Sequence, residues 1–147
     1  MDILISINPK WAKKIKDGSK TVELRKTVPN FAESTVGGDK PREWLWYLYE
    51  SAPVKKVIGF FQVGQVFSGP PAELWKEVKK TCGLTEDQFF EYCSNPNKKY
   101  YGLEIKDLVV WDETFDPYKN IPGFKPGQNF RYLKEHELIP ILNFRKG

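Results

Sequence analysis

Cysteine and histidine are scarce in this chain of 147 residues: the cysteines are Cys82 and Cys93, and the sole histidine is His136. Three such side chains cannot complete a four-ligand Cys/His zinc site within one chain. A Ser-His-Asp or Cys-His machine would have to use His136, which has no recognisable nucleophile motif beside it. Cytosolic thiols stay reduced and free cysteines favour the interior, so both are expected as plain buried thiols. Neither G-x-x-x-x-G-K-[ST] nor G-x-G-x-x-G occurs, which removes the usual support for a nucleoside triphosphate or a dinucleotide. No apolar run approaches the ~18 residues of a membrane span. The start, Met1-Asp2-Ile3-Leu4-Ile5, lacks the basic opening and small-residue cleavage site of a signal peptide. Repeats and low-complexity tracts are absent. Together these absences predict a soluble, cytoplasmic protein with no metal and no cofactor.

The chain is long enough for a single domain, residues 1–147, with a sizeable core. Its 23 Lys+Arg against 19 Asp+Glu give a net charge of +4, too modest for strong nonspecific binding to duplexes. Aromatics are abundant at 15%, so a core or a binding surface must absorb them.

The patterning predicts a mixture of strands and helices. Ile3, Ile5 and Ile7 alternate as in a short buried strand. Asn8-Pro9 caps and starts a helix that ends at Asp17-Gly18. Lys20 to Lys26 alternates with period two, Val22 and Leu24 against Thr21, Glu23 and Arg25, as a half-buried strand does. Pro29 to Pro41 reads as a long loop. Glu43 to Tyr49 and Lys55 to Phe67 read as strands, the second bent at Gly59 and Gly64. A helix is expected over Ala72–Thr81, and Thr85-Glu86-Asp87-Gln88 opens another whose apolar positions are Phe89, Phe90 and Cys93. Tyr101–Ile105 and Leu108–Trp111 read as two strands, and the tail Leu138–Leu142 as a closing strand. Strands without regular helical crossovers argue against a doubly wound parallel sheet. The expected class is mainly β with helices (α+β): a small curved barrel with helices flanking its ends.

The most informative run is Gly18-Ser19-Lys20-Thr21-Val22-Glu23-Leu24-Arg25. It sets an ammonium, a carboxylate and a guanidinium within one turn and strand. Such a cluster suits a phosphate, a base edge or the orientation of a nucleophile, since Arg offers two parallel donors and Lys a point charge. An ordinary surface ion pair is the competing reading. Strand parity places Lys20 with Val22 and Leu24, so a bend is needed to bring it beside Glu23.

This run resembles the G-x-K-x-x-E-x-R signature of the ASCH family, a branch of the PUA-like superfamily. Tyr49-Glu50-Ser51-Ala52-Pro53, leading into the strand that begins near Lys55, resembles the family's Tyr-x-Ser-x-Pro segment. Tyr100–Ile105 resembles its late strand, and Lys125-Pro126-Gly127-Gln128-Asn129-Phe130 its Pro-Pro-Gln-Ser-Phe segment, with Gly127 and Asn129 substituted. The resemblance implies a PUA-like β-barrel whose cleft floor carries Lys20, Glu23 and Arg25. It also implies binding of RNA, in some members for regulation of translation or transcription. A related branch deacetylates acetylcytidine with a Lys, a Thr and a Glu. Lys20 matches the first, Glu23 stands in place of the Thr, and Thr81-Cys82-Gly83-Leu84 lacks the Glu.

Three function classes follow. The leading one is an RNA- or nucleotide-binding module using Lys20, Glu23, Arg25, Tyr49, Ser51 and Gln128, with Lys10, Lys13 and Lys14 drawing phosphates. Some of Trp44, Trp46, Tyr47 and Tyr49 would stack on an unpaired base, or else pack the core. The second is a small hydrolase of a modified nucleoside or of RNA, with Lys20 as base or nucleophile, Glu23 moving protons, and Ser51, Tyr49 or Tyr101 assisting. The third is a protein-interaction domain, for which several exposed tryptophans would speak.

Overall fold

The computed structural model describes residues 2–33 and 44–146. Its strands are β1 (Ile3–Ile7), β2 (Val22–Arg25), β3 (Trp46–Glu50), β4 (Lys56–Gly69), β5 (Tyr100–Phe115) and β6 (Phe130–Tyr132). Its helices are α1 (Pro9–Lys16), α2 (Asn30–Glu33), α3 (Pro71–Val78), α4 (Glu86–Tyr92), α5 (Pro117–Asn120) and α6 (Glu135–Lys146). The strands hydrogen-bond in the order β2-β5-β4-β3-β1-β6, with β1 parallel to β3 and antiparallel to β6. This is a mixed α+β fold. The chain divides into two compact units, one of Met1–Ala12, Trp44–Gln62 and Asp107–Gly147, the other of Lys13–Glu43 and Val63–Lys106. Both β4 and β5 run through the two.

In the first unit, all five residues of β3 are buried, and its aromatics turn inward rather than to solvent. Leu4, Tyr47, Tyr49, Val57, Phe115, Phe124 and Ile141 form its core. Each fully buried large apolar side chain contributes about 1.5–3 kcal/mol. Leu48 faces Gly59 but Tyr49 faces Val57, so the ladder carries an extra residue at Ile58. Gly59 is required beside that bulge because a Cβ there would run into the Val109 carbonyl.

The second unit has its own core, from Val22, Leu24, Leu74, Val78, Phe89, Tyr100 and the two cysteines. Cys82 and Cys93 are free and buried, and burial pushes the Cys93 thiol up to about 11. Thr85 and Gln88 form the reciprocal cap read from the sequence: Gln88 N–H donates to Thr85 Oγ1, and Thr85 N–H to Gln88 Oε1.

Five expectations change. β2 is buried on both faces, because Glu23 and Arg25 satisfy each other where a half-buried strand would meet water. Tyr101–Ile105 and Leu108–Trp111 belong to one strand of 16 residues, which continues through Lys106-Asp107 although Asp107 takes the left-handed φ of 52°. The tail is helical, closing strand duty falling to β6. Glu137 and Ile141, four apart, are the buried positions of α6, and Arg145 donates from Nη1 to the Tyr47 hydroxyl at 3.0 Å. That stripe overrides Pro140, which lies inside the continuous helix. Phe90, expected among the apolar positions of α4, is 36% exposed. The segment read as the loop Pro29–Pro41 begins with α2, and residues 34–41 lie outside the described residues.

Candidate functional site

The signature residues lie in the second unit. Lys20 precedes β2, which begins only at Val22, so strand parity does not bind it and no bend within the strand is needed. The backbone N–H groups of Thr21 and Val22 both donate to the Thr81 carbonyl, which fixes the entry to the strand. From there Lys20 Nζ donates to the Cys82 carbonyl at 2.6 Å and lies 3.3 Å from Glu23 Oε1. The other carboxylate oxygen of Glu23 meets Arg25 Nη2 at 2.8 Å. Gly83, at φ +75°, lets the lysine stem pass, since a Cβ there would stand 2.9 Å from Lys20 Cβ. Tyr92, its phenol pushed up to about 12 by burial, donates to the Leu24 carbonyl.

Lys20, Glu23 and Arg25 are only 2%, 6% and 8% exposed. A buried carboxylate between two cations is tolerated because each charge has a close opposite partner and hydrogen bonds. The ammonium of Lys20 is engaged on both sides. That arrangement gives weak support to Lys20 as the base or nucleophile of an acetylcytidine hydrolase.

The basic helix α1 carries the three phosphate-attracting candidates. Lys10 stacks over the Trp11 ring at 4.9 Å, Lys13 is exposed, and Lys14 Nζ donates to the Gly83 carbonyl at 2.7 Å.

Tyr49, Ser51 and Gln128 are brought together in the first unit. With Asn8, Lys55, Tyr118 and the 126–127 backbone, they line an open cavity of about 480 Å³. Its size falls within the usual range for small-ligand sites. The Tyr49 and Tyr118 hydroxyls share a hydrogen bond of 2.7 Å. Burial, then that bond, raises the Tyr49 pKa well above an ordinary phenol, so Tyr49 keeps its proton at neutral pH. Asp116 positions Tyr118: its carboxylate caps α5 by accepting from the Tyr118 and Lys119 N–H groups, and it pairs with Lys56 Nζ at 2.8 Å. The hydrogen bond from Lys56, offset in part by burial, holds the Asp116 carboxyl below its usual range.

Lys55 is the residue the sequence reading left unassigned. It is exposed, lines the cavity and takes φ 54°, a left-handed conformation that disfavours a residue with a Cβ. Among the described residues no carboxylate pairs with it, whereas its neighbour Lys56 is taken by Asp116. The available signal was its place directly after Tyr-x-Ser-x-Pro, before the apolar strand begins. Asn8 was legible only as a cap, which it also is, accepting from Lys10 N–H at 2.9 Å.

The tryptophans give no exposed patch: Trp46 is buried, and Trp11, Trp44, Trp75 and Trp111 are half-buried. Among the described residues, no helix is long and apolar enough to cross a membrane.

The strand order and helices are those of an α+β, PUA-like fold. The chain matches the ASCH domain over residues 5–111 and belongs to the ASCH domain family. It is 31% identical to an ASCH domain-containing ribonuclease of Zymomonas mobilis, over 97% of this chain and 90% of that protein. The crystal structure of ASCH from the same organism shares the fold, with a TM-score of 0.79 at 24% identity, covering 97% of this chain and 94% of that one. A Tyr→Phe variant of the Zymomonas mobilis protein gives the same TM-score at 23% identity, over 97% of this chain and 96% of that one.

Proposed function

We propose that this ASCH domain protein binds single-stranded RNA and cleaves it in the cavity of Asn8, Tyr49, Ser51, Lys55, Tyr118 and Gln128. The observation that carries the reading is Lys55, a cation with no paired carboxylate among the described residues, held at positive φ in a cavity beside a hydrogen-bonded phenol pair. Backbone outliers of this kind concentrate at functional sites. The ribonuclease name of the Zymomonas mobilis relative supports the reaction class.

In such a cleavage the 2′ oxygen gives its proton to solvent water and attacks the adjacent phosphorus, the P–O5′ bond breaks, the 5′ oxygen departs with the Tyr118 proton, and Tyr118 regains a proton from solvent. Lys55 supplies positive charge where the phosphorane develops negative charge. Tyr118 gives a proton to the departing oxygen, and Tyr49, which stays protonated, hydrogen-bonds the phenolate that forms. Ser51, Asn8 and Gln128 offer neutral donors and acceptors to the nucleotide. The buried Lys20–Glu23–Arg25 network acts as support for the fold around β2. A cytoplasmic setting accords with two free buried thiols.

The test is turnover of single-stranded RNA oligomers by wild type and Lys55→Ala. The variant is expected to lose about a hundredfold in kcat with an unchanged melting temperature, and a 2′-deoxy nucleotide at the scissile position should stop cleavage. Saturable binding without product in wild type would reduce the function to RNA binding; equal rates in both proteins would remove Lys55 from the mechanism.

A further inference from the structure

We propose a second RNA subsite, which rests on the reading above and extends it. It is the cavity between the 122–127 segment and the start of α6. This cavity has a volume of about 510 Å³ and is lined by Lys125, Gly127, Arg131, Tyr132, Lys134, His136 and Glu137 with Pro122 and Gly123. Gly127 lines both cavities, so the 125–128 backbone is their shared wall, with Lys125 on one side and Pro126 and Gln128 on the other. Ser6 ties that wall to β1: its Oγ donates to the Gly127 carbonyl at 3.2 Å, and its N–H to the Asn129 carbonyl at 2.9 Å.

The charge on this second cavity is unevenly spent. Glu137, 4% exposed, takes both terminal nitrogens of Arg131 at 2.8 and 2.7 Å and the Lys134 N–H at 3.0 Å. Arg131 also donates from Nε to the Lys125 carbonyl at 2.8 Å and lies over the Phe124 ring at 5.3 Å. Glu137 therefore cancels and immobilises Arg131. Lys125 and Lys134 are exposed, among the described residues no carboxylate pairs with either, and the imidazole of His136 adds a further donor. Tyr132 presents a ring that is 41% exposed. Two uncompensated cations beside an exposed aromatic are the elements that hold a phosphodiester and stack an unpaired base. A volume of about 510 Å³ accommodates one unpaired nucleotide. The ligand class is thus the flanking nucleotide of the same single strand, reached across the Gly127 wall.

The experiment compares a dinucleotide with an octanucleotide of single-stranded RNA as substrates for wild type, Lys125→Ala/Lys134→Ala and Tyr132→Ala, at several salt concentrations. All three side chains are exposed, so folding is expected to survive, and melting curves check it. The double variant is expected to raise KM for the octanucleotide about tenfold and to flatten its log–log salt dependence by roughly 1.4, at about 0.7 per lost phosphate contact. Dinucleotide turnover should be unchanged. Tyr132→Ala should weaken the octanucleotide about tenfold without touching the salt slope. Unchanged octanucleotide KM and salt slope in both variants would overturn the subsite. Titration with a 2′-deoxy-blocked octanucleotide separates the two readings. If wild type binds this oligomer but never cleaves the unblocked RNA, a tenfold loss of binding in the double variant upholds the subsite and rejects the ribonuclease. No binding by wild type overturns both.

Discussion

The Lys20–Glu23–Arg25 network and the Tyr49–Lys55–Tyr118 cavity both place cations beside polar groups, yet they are opposite in design. In the network every charge is consumed by a neighbour and hidden from water: Glu23 bridges both cations, and Lys20 also holds the Cys82 carbonyl. In the cavity Lys55 is exposed, and the local carboxylate, Asp116, is committed to Lys56 and to the cap of α5. A buried, internally paired cluster holds a fold together, whereas an exposed cation can act on a ligand. The most recognisable residues of the sequence are therefore not the most available ones.

The sharpest way to break this contrast is Glu23→Ala. It removes the carboxylate that both buried cations share and should cost about 3–5 kcal/mol in chemical denaturation. A loss below ~1 kcal/mol would show that the network bears no weight in the fold. Lys55→Gly tests the other side. Glycine accepts the left-handed backbone, so stability should hold or rise by up to about 1 kcal/mol while RNA turnover falls about a hundredfold. A fall in stability together with activity would mark Lys55 as structural.

Glu137→Gln examines an intermediate case, a buried carboxylate facing a partly exposed arginine. Burial raises the Glu137 pKa, but hydrogen bonds from Arg131 and Lys134 N–H outweigh it and hold the carboxyl below its usual range. A lowered folded pKa means that the stabilisation is complete above the unfolded value of about 4.3 and is lost as pH falls through the folded value. The variant should lose about 1.5–3 kcal/mol at pH 7. Its deficit should shrink in acid below about pH 4. A deficit independent of pH would assign the effect to packing instead of charge. The smallest change is Thr85→Ala, which removes the cap of α4 and should cost about 1 kcal/mol with no effect on RNA.

Local chemistry carried much of the fold in advance. Asn8-Pro9, Gly18 and the Thr85–Gln88 pair act over three or four residues, and their helices start or stop where those residues stand. The alternation of Ile3, Ile5 and Ile7 is sufficient for β1 because both its faces are buried. Three errors share one cause. The continuity of β5 through Lys106-Asp107, the burial of Glu23 and Arg25, and the helix across Pro140 are decided by tertiary packing, which short-range patterning does not carry. For β2 the partner is β5, whose Tyr101 to Glu104 pair with Arg25 to Val22. For α6 it is Tyr47, 98 residues before Arg145.

The candidate site divides in the same manner. The residue types of Tyr49, Ser51 and Gln128 were readable as candidates, but nothing in their spacing joined position 128 to position 49. Lys55 was readable only as a lysine between a turn and a strand. By itself the sequence determined the family, the α+β composition, the helix caps and the residues able to carry charge, because these depend on residue identity and near neighbours. Only the tertiary structure decided which charges are spent and which are left to act. Burial, counter-charge and backbone conformation are properties of the folded surroundings: they bury Lys20 against Glu23 and leave Lys55 exposed in its cavity.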